Sequence, residues 1–148
     1  LERAGNSATG SITAFYTVLL EDEDTADPVG EEVRSILDGH LVLSRKLASA
    51  NHFPAIDVLG SVSRVMDRIT DDAHRNAAAM ARRLLAKHRE IEVLLQMGEY
   101  QAGTDAVADA AVACAPLLQR HVCQSVNEPS AFADGLASLR RAISGKAP

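Results

Sequence analysis

The sequence predicts a mixed α and β chain, with a piece of an α/β domain over residues 1–67 and an all-α domain of three antiparallel helices over 68–148. Three observations lead there. Two short runs are nearly continuous in apolar character, as strands covered on both faces are. Beyond residue 68 the apolar residues recur at steps of three and four, the spacing of one helix face. Two strands are too few to close a sheet, so its remaining strands are expected upstream of this stretch.

Taken in order, Gly5-Asn6-Ser7 and Gly10 read as a loop after a helix tail. The first strand candidate is Ser11-Ile12-Thr13-Ala14-Phe15-Tyr16-Thr17-Val18-Leu19-Leu20, rich in β-branched and aromatic residues. An acidic loop over 21–27 follows, then Pro28 and a short helix over 31–37. Asp38-Gly39 signals a turn, and His40-Leu41-Val42-Leu43-Ser44 is the second strand. The first long helix runs over 71–97, with Ala77, Met80, Leu84, His88, Ile91 and Leu95 on one face. Thr70 or Asp71 caps its start and Gly98 its end. A second helix spans 105–122, with Val107, Ala111, Ala115, Leu118 and Val122 inward. Pro116 lies inside it and is expected to kink or interrupt it, because proline removes a backbone donor. The third begins near Pro129, a favoured first-turn residue, and carries Phe132, Leu136, Leu139 and Ile143 as its stripe.

Composition narrows the function. Apolar residues make up 47% of the 148 residues, enough for a core without staples, while aromatics are only 3%. The net charge of -5 argues against nucleic acid, whose phosphates attract clustered Lys and Arg. Cys114 and Cys123 read as reduced thiols in a cytosolic protein. Leu1-Glu2-Arg3 holds neither an initiator Met nor a signal-peptide core, as expected of a chain cut from something longer. No phosphate loop, serine elbow or HExxH pattern occurs. His121-x-Cys123 is at most half a metal site, so no metal is expected; structural zinc takes four well-spaced ligands. His88 reads as a half-buried helix residue. The acidic run Glu21, Asp22, Glu23, Asp24 and Asp27 could face a cation, but nothing in it builds an oxygen cage, and solvated loop charge is the simpler reading.

Longer strings carry a resemblance. Gly10-Ser11-Ile12-Thr13-Ala14-Phe15-Tyr16-Thr17-Val18-Leu19 resembles the late core strand of type III secretion and flagellar export ATPases, relatives of the catalytic subunit of the rotary ATP synthase. The likeness continues through Arg34-Ser35-Ile36-Leu37-Asp38-Gly39-His40-Leu41-Val42-Leu43-Ser44-Arg45, His52-Phe53-Pro54-Ala55-Ile56-Asp57-Val58-Leu59, Ser61-Val62-Ser63-Arg64-Val65 and Leu94-Leu95-Gln96-Met97-Gly98-Glu99-Tyr100-Gln101, and weakens after Gln101. Leu59, where flagellar relatives tend to carry an acidic residue, makes it more similar to the virulence injectisome branch. The resemblance implies the C-terminal remnant of a RecA-like nucleotide-binding domain, followed by the helical domain. It also implies an ATP hydrolase that works as a homo-hexamer with ATP and Mg, while this chain, without a phosphate loop, is inactive alone.

The same resemblance assigns roles. Arg64 matches the arginine offered in trans to a neighbour's nucleotide. A fixed planar cation there stabilises the charge that spreads over the γ-phosphate oxygens in the transition state. The alternative is an ordinary surface or salt-bridged arginine, and Arg45 is its rival for an interface role. Phe53 stands where relatives place a Tyr that stacks on adenine, and Phe keeps the π-face; otherwise it is a core aromatic. Leu118 is expected on the opposite wall of the adenine pocket. Gly98, Glu99, Tyr100 and Gln101 match the turn that meets a coiled-coil stalk, or they are a simple connection between helices. Implied partners are the stalk protein, a regulator, chaperone–effector complexes and the membrane-embedded export apparatus, at the cytoplasmic face of the inner membrane. A non-catalytic helical module over 68–148, or a flagellar export ATPase, are the competing readings.

Overall fold

A computed structural model describes residues 4–20 and 27–145. They fall into two compact units, one ending at Leu37 and one beginning at Asp38. In the first, β1 (Gly5–Asn6) pairs antiparallel with β2 (Ser11–Ile12), and the Ser7 N–H closes the turn on the Gly10 carbonyl at 2.7 Å. Helix α1 (Pro28–Ile36) follows. Asp27 caps it, its carboxylate accepting from the Val29 and Gly30 amides at 2.8 and 3.3 Å, and Pro28 fills the first turn, where no donor is needed. Gly30 packs under Leu20: a Cβ there would stand 2.7 Å from Leu20 Cδ2, and the leucine side chain would have to shift.

The strand expected over 11–20 extends only to Ile12. Beyond it the chain is irregular, and Phe15 and Leu19 are 91% and 89% exposed. A strand buried on both faces needs neighbours for its backbone groups, and among the described residues β2 pairs only with β1. Of the acidic run, Asp27 is described; the other four lie outside the described residues.

The second unit starts with β3 (Gly39–Leu43), then the short helix α2 (Arg45–Ser49) and β4 (Ile56–Ser63). β3 and β4 form an antiparallel hairpin. The alternation of apolar residues does not flag β4, which gives the second strand a partner within this chain. A single turn, α3 (Met66–Ile69), leads into α4 (Asp72–Met97). Asp71 caps α4 through the His74 amide at 2.7 Å, and Gly98 ends it in a left-handed conformation, φ 72°, that favours glycine.

Helices α5 (Ala106–Val122) and α6 (Phe132–Ile143) complete the bundle, each of the three long helices packing on the other two. Ala81, Leu84, Ala111, Cys114, Leu118 and Ala142 form the core, flanked by Leu85, Leu117, Leu139 and Ile143. The alanines let the helices approach closely. Helix α5 runs through Pro116 without interruption; the missing N–H leaves only the Val112 carbonyl without its helical donor. A cavity of about 270 Å³ opens there, lined by Leu84, His88, Ala115, Pro116 and Gln119 among others. The third helix starts at Phe132 rather than near Pro129. Two stripe residues are not core: Met80 is half exposed, and Phe132 lies outside the bundle against His74, ring centroids 5.9 Å apart.

Candidate functional site

Arg64 follows the last residue of β4. Its own amide donates to the Asp38 carbonyl at 2.7 Å, so its backbone is tied to the start of the hairpin, while its side chain is exposed. Gly39 permits this close pairing: a Cβ at Gly39 would stand 2.6 Å from the Val62 carbonyl oxygen.

Just before Arg64 the hairpin is irregular. His40 pairs with Val62 and Val42 with Asp57, so residues 58–61 stand opposite Leu41 alone. A bulge of this size takes backbone groups out of the ladder, and each must find another partner. Side chains supply them. The Asp57 carboxylate accepts from the Leu59 and Gly60 amides at 2.9 and 3.1 Å, and Ser61 Oγ donates to the Asp57 carbonyl at 2.6 Å while accepting from the Val42 amide at 3.0 Å. Arg82 of α4 donates to the Val58, Leu59 and Ser61 carbonyls at 2.5, 3.0 and 3.1 Å. His40 Nε2, carrying the proton, reaches the Gly60 carbonyl at 3.3 Å. Arg89 of α4 adds an ion pair to Asp57 at 3.2 Å. Partial burial pushes the Asp57 carboxyl up, but the Gly60 amide, Arg89 and the Leu59 amide together outweigh it and hold it below its ordinary value.

Phe53 lies in the loop between α2 and β4, half exposed and joined to Pro54 by a cis peptide bond. The neighbouring loop backbone is fastened to the end of α5. The Gln124 amide donates to the Phe53 carbonyl at 2.8 Å, Gln119 Nε2 reaches His52 Nδ1 at 2.9 Å, and Cys123 Sγ lies 3.4 Å from the same nitrogen. Leu118, expected on the far wall of the adenine pocket, is 1% exposed in the helical core and also lines the cavity beside Pro116. Its neighbour Gln119 faces the loop. His121 and Cys123 do not converge: His121 Nδ1 faces Ser138 Oγ at 3.1 Å, and burial holds its imidazole below the ordinary value. Both cysteines are free, and Arg45 begins α2.

The turn between α4 and α5 is braced by carboxylates of α5. Asp109 accepts from the Tyr100 hydroxyl at 2.5 Å and from the Gly103 amide at 2.9 Å, and Asp105 caps α5 through the Val107 and Ala108 amides. Lys87 pairs with Asp105 at 3.0 Å and with Glu90 at 2.9 Å. The bond to Asp109 pushes the Tyr100 phenol up to about 12. Gly98, Glu99 and Gln101 are exposed, and beside them Val93 and Met97 expose more than half their surface.

Two family models match the chain: the ATP synthase alpha/beta family nucleotide-binding domain over residues 1–63, and the T3SS EscN ATPase C-terminal domain over 70–141. The type 3 secretion system ATPase of Xanthomonas euvesicatoria is 53% identical over 139 residues, covering 94% of this chain and 31% of that relative. The chain is a homologue of the type 3 secretion ATPases. It spans about a third of the length of the relatives it matches. The assembled ATPase EscN from enteropathogenic E. coli superposes with a TM-score of 0.92 at 47% identity, over 96% of this chain and 34% of EscN. EscN in complex with its central stalk EscO gives 0.87 at 46%, over 97% and 34%. A flagellum-specific ATP synthase of Treponema pallidum is 48% identical over 139 residues, 94% of this chain and 31% of the relative, so the flagellar branch stands close. In this secretion-ATPase homologue Arg64 falls between the two matched segments, in the six-residue link from the nucleotide-binding part to the helices. Sequence reasoning missed Arg82 and Arg89. They lie on the polar face of α4, 21 to 32 residues from the groups they hold, and neither spacing nor motif marks them.

Proposed function

We propose that the intact protein hydrolyses ATP to energise type 3 protein secretion, releasing chaperones and unfolding effectors for export, and that this chain supplies the trans side of the nucleotide site. In a ring of six subunits, Arg64 would reach the γ-phosphate of ATP held by the neighbour, and the ring of Phe53 would pack on the adenine. The observation that carries this reading is the clamped end of β4. An exposed guanidinium stands on a backbone tied to Asp38 and preceded by a bulge with every carbonyl held. Fixed geometry of that kind is what a transition-state cation requires.

The residues present fit one side of the nucleotide only. Arg64 fits the phosphate charge and Phe53 the base, whereas the described residues gather no group of three metal-ligating side chains for Mg. The phosphate loop and the magnesium ligands would come from elsewhere in the intact protein, and this chain alone is expected to be inactive. The braced turn at Gly98, Glu99, Tyr100 and Gln101 would meet a coiled-coil stalk; a relative, EscN, forms a complex with its central stalk EscO. A regulator, chaperone–effector complexes and the export apparatus, at the cytoplasmic face of the inner membrane, complete the partners. The core shared by the three helices also favours a second reading, in which residues 68–148 bind partners without nucleotide; retained capture by that segment would support it.

The test is Arg64→Ala in the intact, assembled protein. Hydrolysis should fall by about 10³–10⁵-fold with the fold unchanged, and Arg64→Lys should recover little, because lysine lacks the planar fork. Full turnover by an Arg64→Ala ring rejects the assignment.

A further inference from the structure

We infer that Arg82 is a positioning residue for hydrolysis: from the helical domain it sets the bulge that aims Arg64. The inference rests on the role proposed for Arg64. Its basis is the distribution of partners around residues 58–61. Three of the four carbonyls freed by the bulge converge on one guanidinium, at 2.5, 3.0 and 3.1 Å, and the fourth is taken by His40. Arginine suits this task because its planar fork presents five donors in fixed directions and stays charged.

The amide side of the bulge is held by Asp57, which is itself paired with Arg89, two turns along α4 from Arg82. Helix α4 therefore grips both polarities of the segment that ends three residues before Arg64. The Asp38 tie at Arg64 fixes the other end of the span. Loss of the Arg82 fork would leave three carbonyls to water and let the bulge relax. Arg64, three residues beyond the bulge, would then be displaced. Such a shift costs transition-state stabilisation rather than nucleotide affinity.

The experiment uses the full-length assembled protein. Arg82→Ala and Arg82→Lys should lower kcat by about 10- to 100-fold and leave KM for ATP unchanged. Affinity for ADP with aluminium fluoride, a mimic of the transferring phosphoryl group, should fall in parallel, while affinity for ADP alone stays constant. In an Arg64→Ala background, adding Arg82→Ala should cost nothing more, because the two act through one cation. An assembled Arg82→Ala ring with wild-type kcat overturns the inference, as does a loss that multiplies with that of Arg64→Ala. If Arg82→Ala does not assemble, Arg82→Lys, which keeps the charge and the stem, is read the same way. Failure of both to assemble assigns the contact to folding and overturns the positioning role. Full turnover by Arg64→Ala sinks the Arg64 reading itself; slow Arg64→Ala with fast Arg82→Ala sinks the positioning claim alone.

Discussion

The end of β4 and the turn between α4 and α5 both project from the same folded unit, yet they are held by different means. The β4 bulge is fastened by Arg82 and Arg89, side chains 21 to 32 residues away in the chain. The turn is fastened mostly from nearby: Asp109 reaches back to Tyr100 and Gly103, and Asp105 caps its own helix. Among the described residues, Lys87, pairing with Asp105, comes from further off. Long-range clamps couple a local geometry to the packing of the whole unit, whereas local braces keep a shape whatever the rest does. The first arrangement suits a cation that must sit within a fraction of an ångström of its target. The second suits a surface that meets a partner.

Helix α5 spans from the brace, at its first turn, to the Phe53 loop that leads into β4, at its last. Leu118→Ala, in the core between them, should destabilise the unit by about 2–5 kcal/mol, read by denaturant unfolding. The β4 bulge should loosen more than the turn, and equal loosening of the two would break the contrast. Next in size is Phe53→Ala in the intact protein, which should raise KM for ATP by about threefold to tenfold, while Phe53→Tyr leaves it unchanged. An unchanged KM for the alanine variant would return Phe53 to a packing role.

Smaller effects belong to the braced turn. Tyr100→Phe should lower the melting temperature slightly and leave basal ATP turnover untouched, in contrast to changes around the bulge. Because the folded phenol is raised to about 12 from 10, its stabilisation is complete below pH 10 and disappears as pH climbs through 12; Tyr100→Phe should abolish that part of the alkaline profile. The smallest change is at His121. Its folded pKa is depressed below 6.5, so its contribution is complete above pH 6.5 and is lost as pH falls toward the folded value. His121→Gln should flatten that part of an acid unfolding curve.

Much of the helical domain was legible in the sequence because caps and periodicity are local signals. Asp71, Gly98 and Asp105 stand where the helices begin or end. The failures have physical causes. β4 was hidden because Asp57, Gly60 and Ser61 interrupt its apolar pattern, and those are the residues that build and satisfy the bulge. Phe132 matched a helical stripe but begins its helix and overhangs the core. Leu118 keeps the helical period because it packs in the core, so its burial says nothing either way of a ligand. Of the site, Arg64 and Phe53 were marked by resemblance alone, while the clamp around Arg64 depends on contacts that no window of sequence contains.

A subunit-mixing assay tests the trans role of Arg64 most directly. Full-length Arg64→Ala subunits are combined with subunits whose own phosphate-gripping loop is disabled, and ATP turnover of the mixed rings is measured. Neither parent should hydrolyse ATP, and the mixture should recover a substantial fraction of wild-type turnover, because an intact loop then faces an intact Arg64 across some subunit boundaries. Mixed rings as inactive as their parents would contradict an arginine that acts on its neighbour's nucleotide.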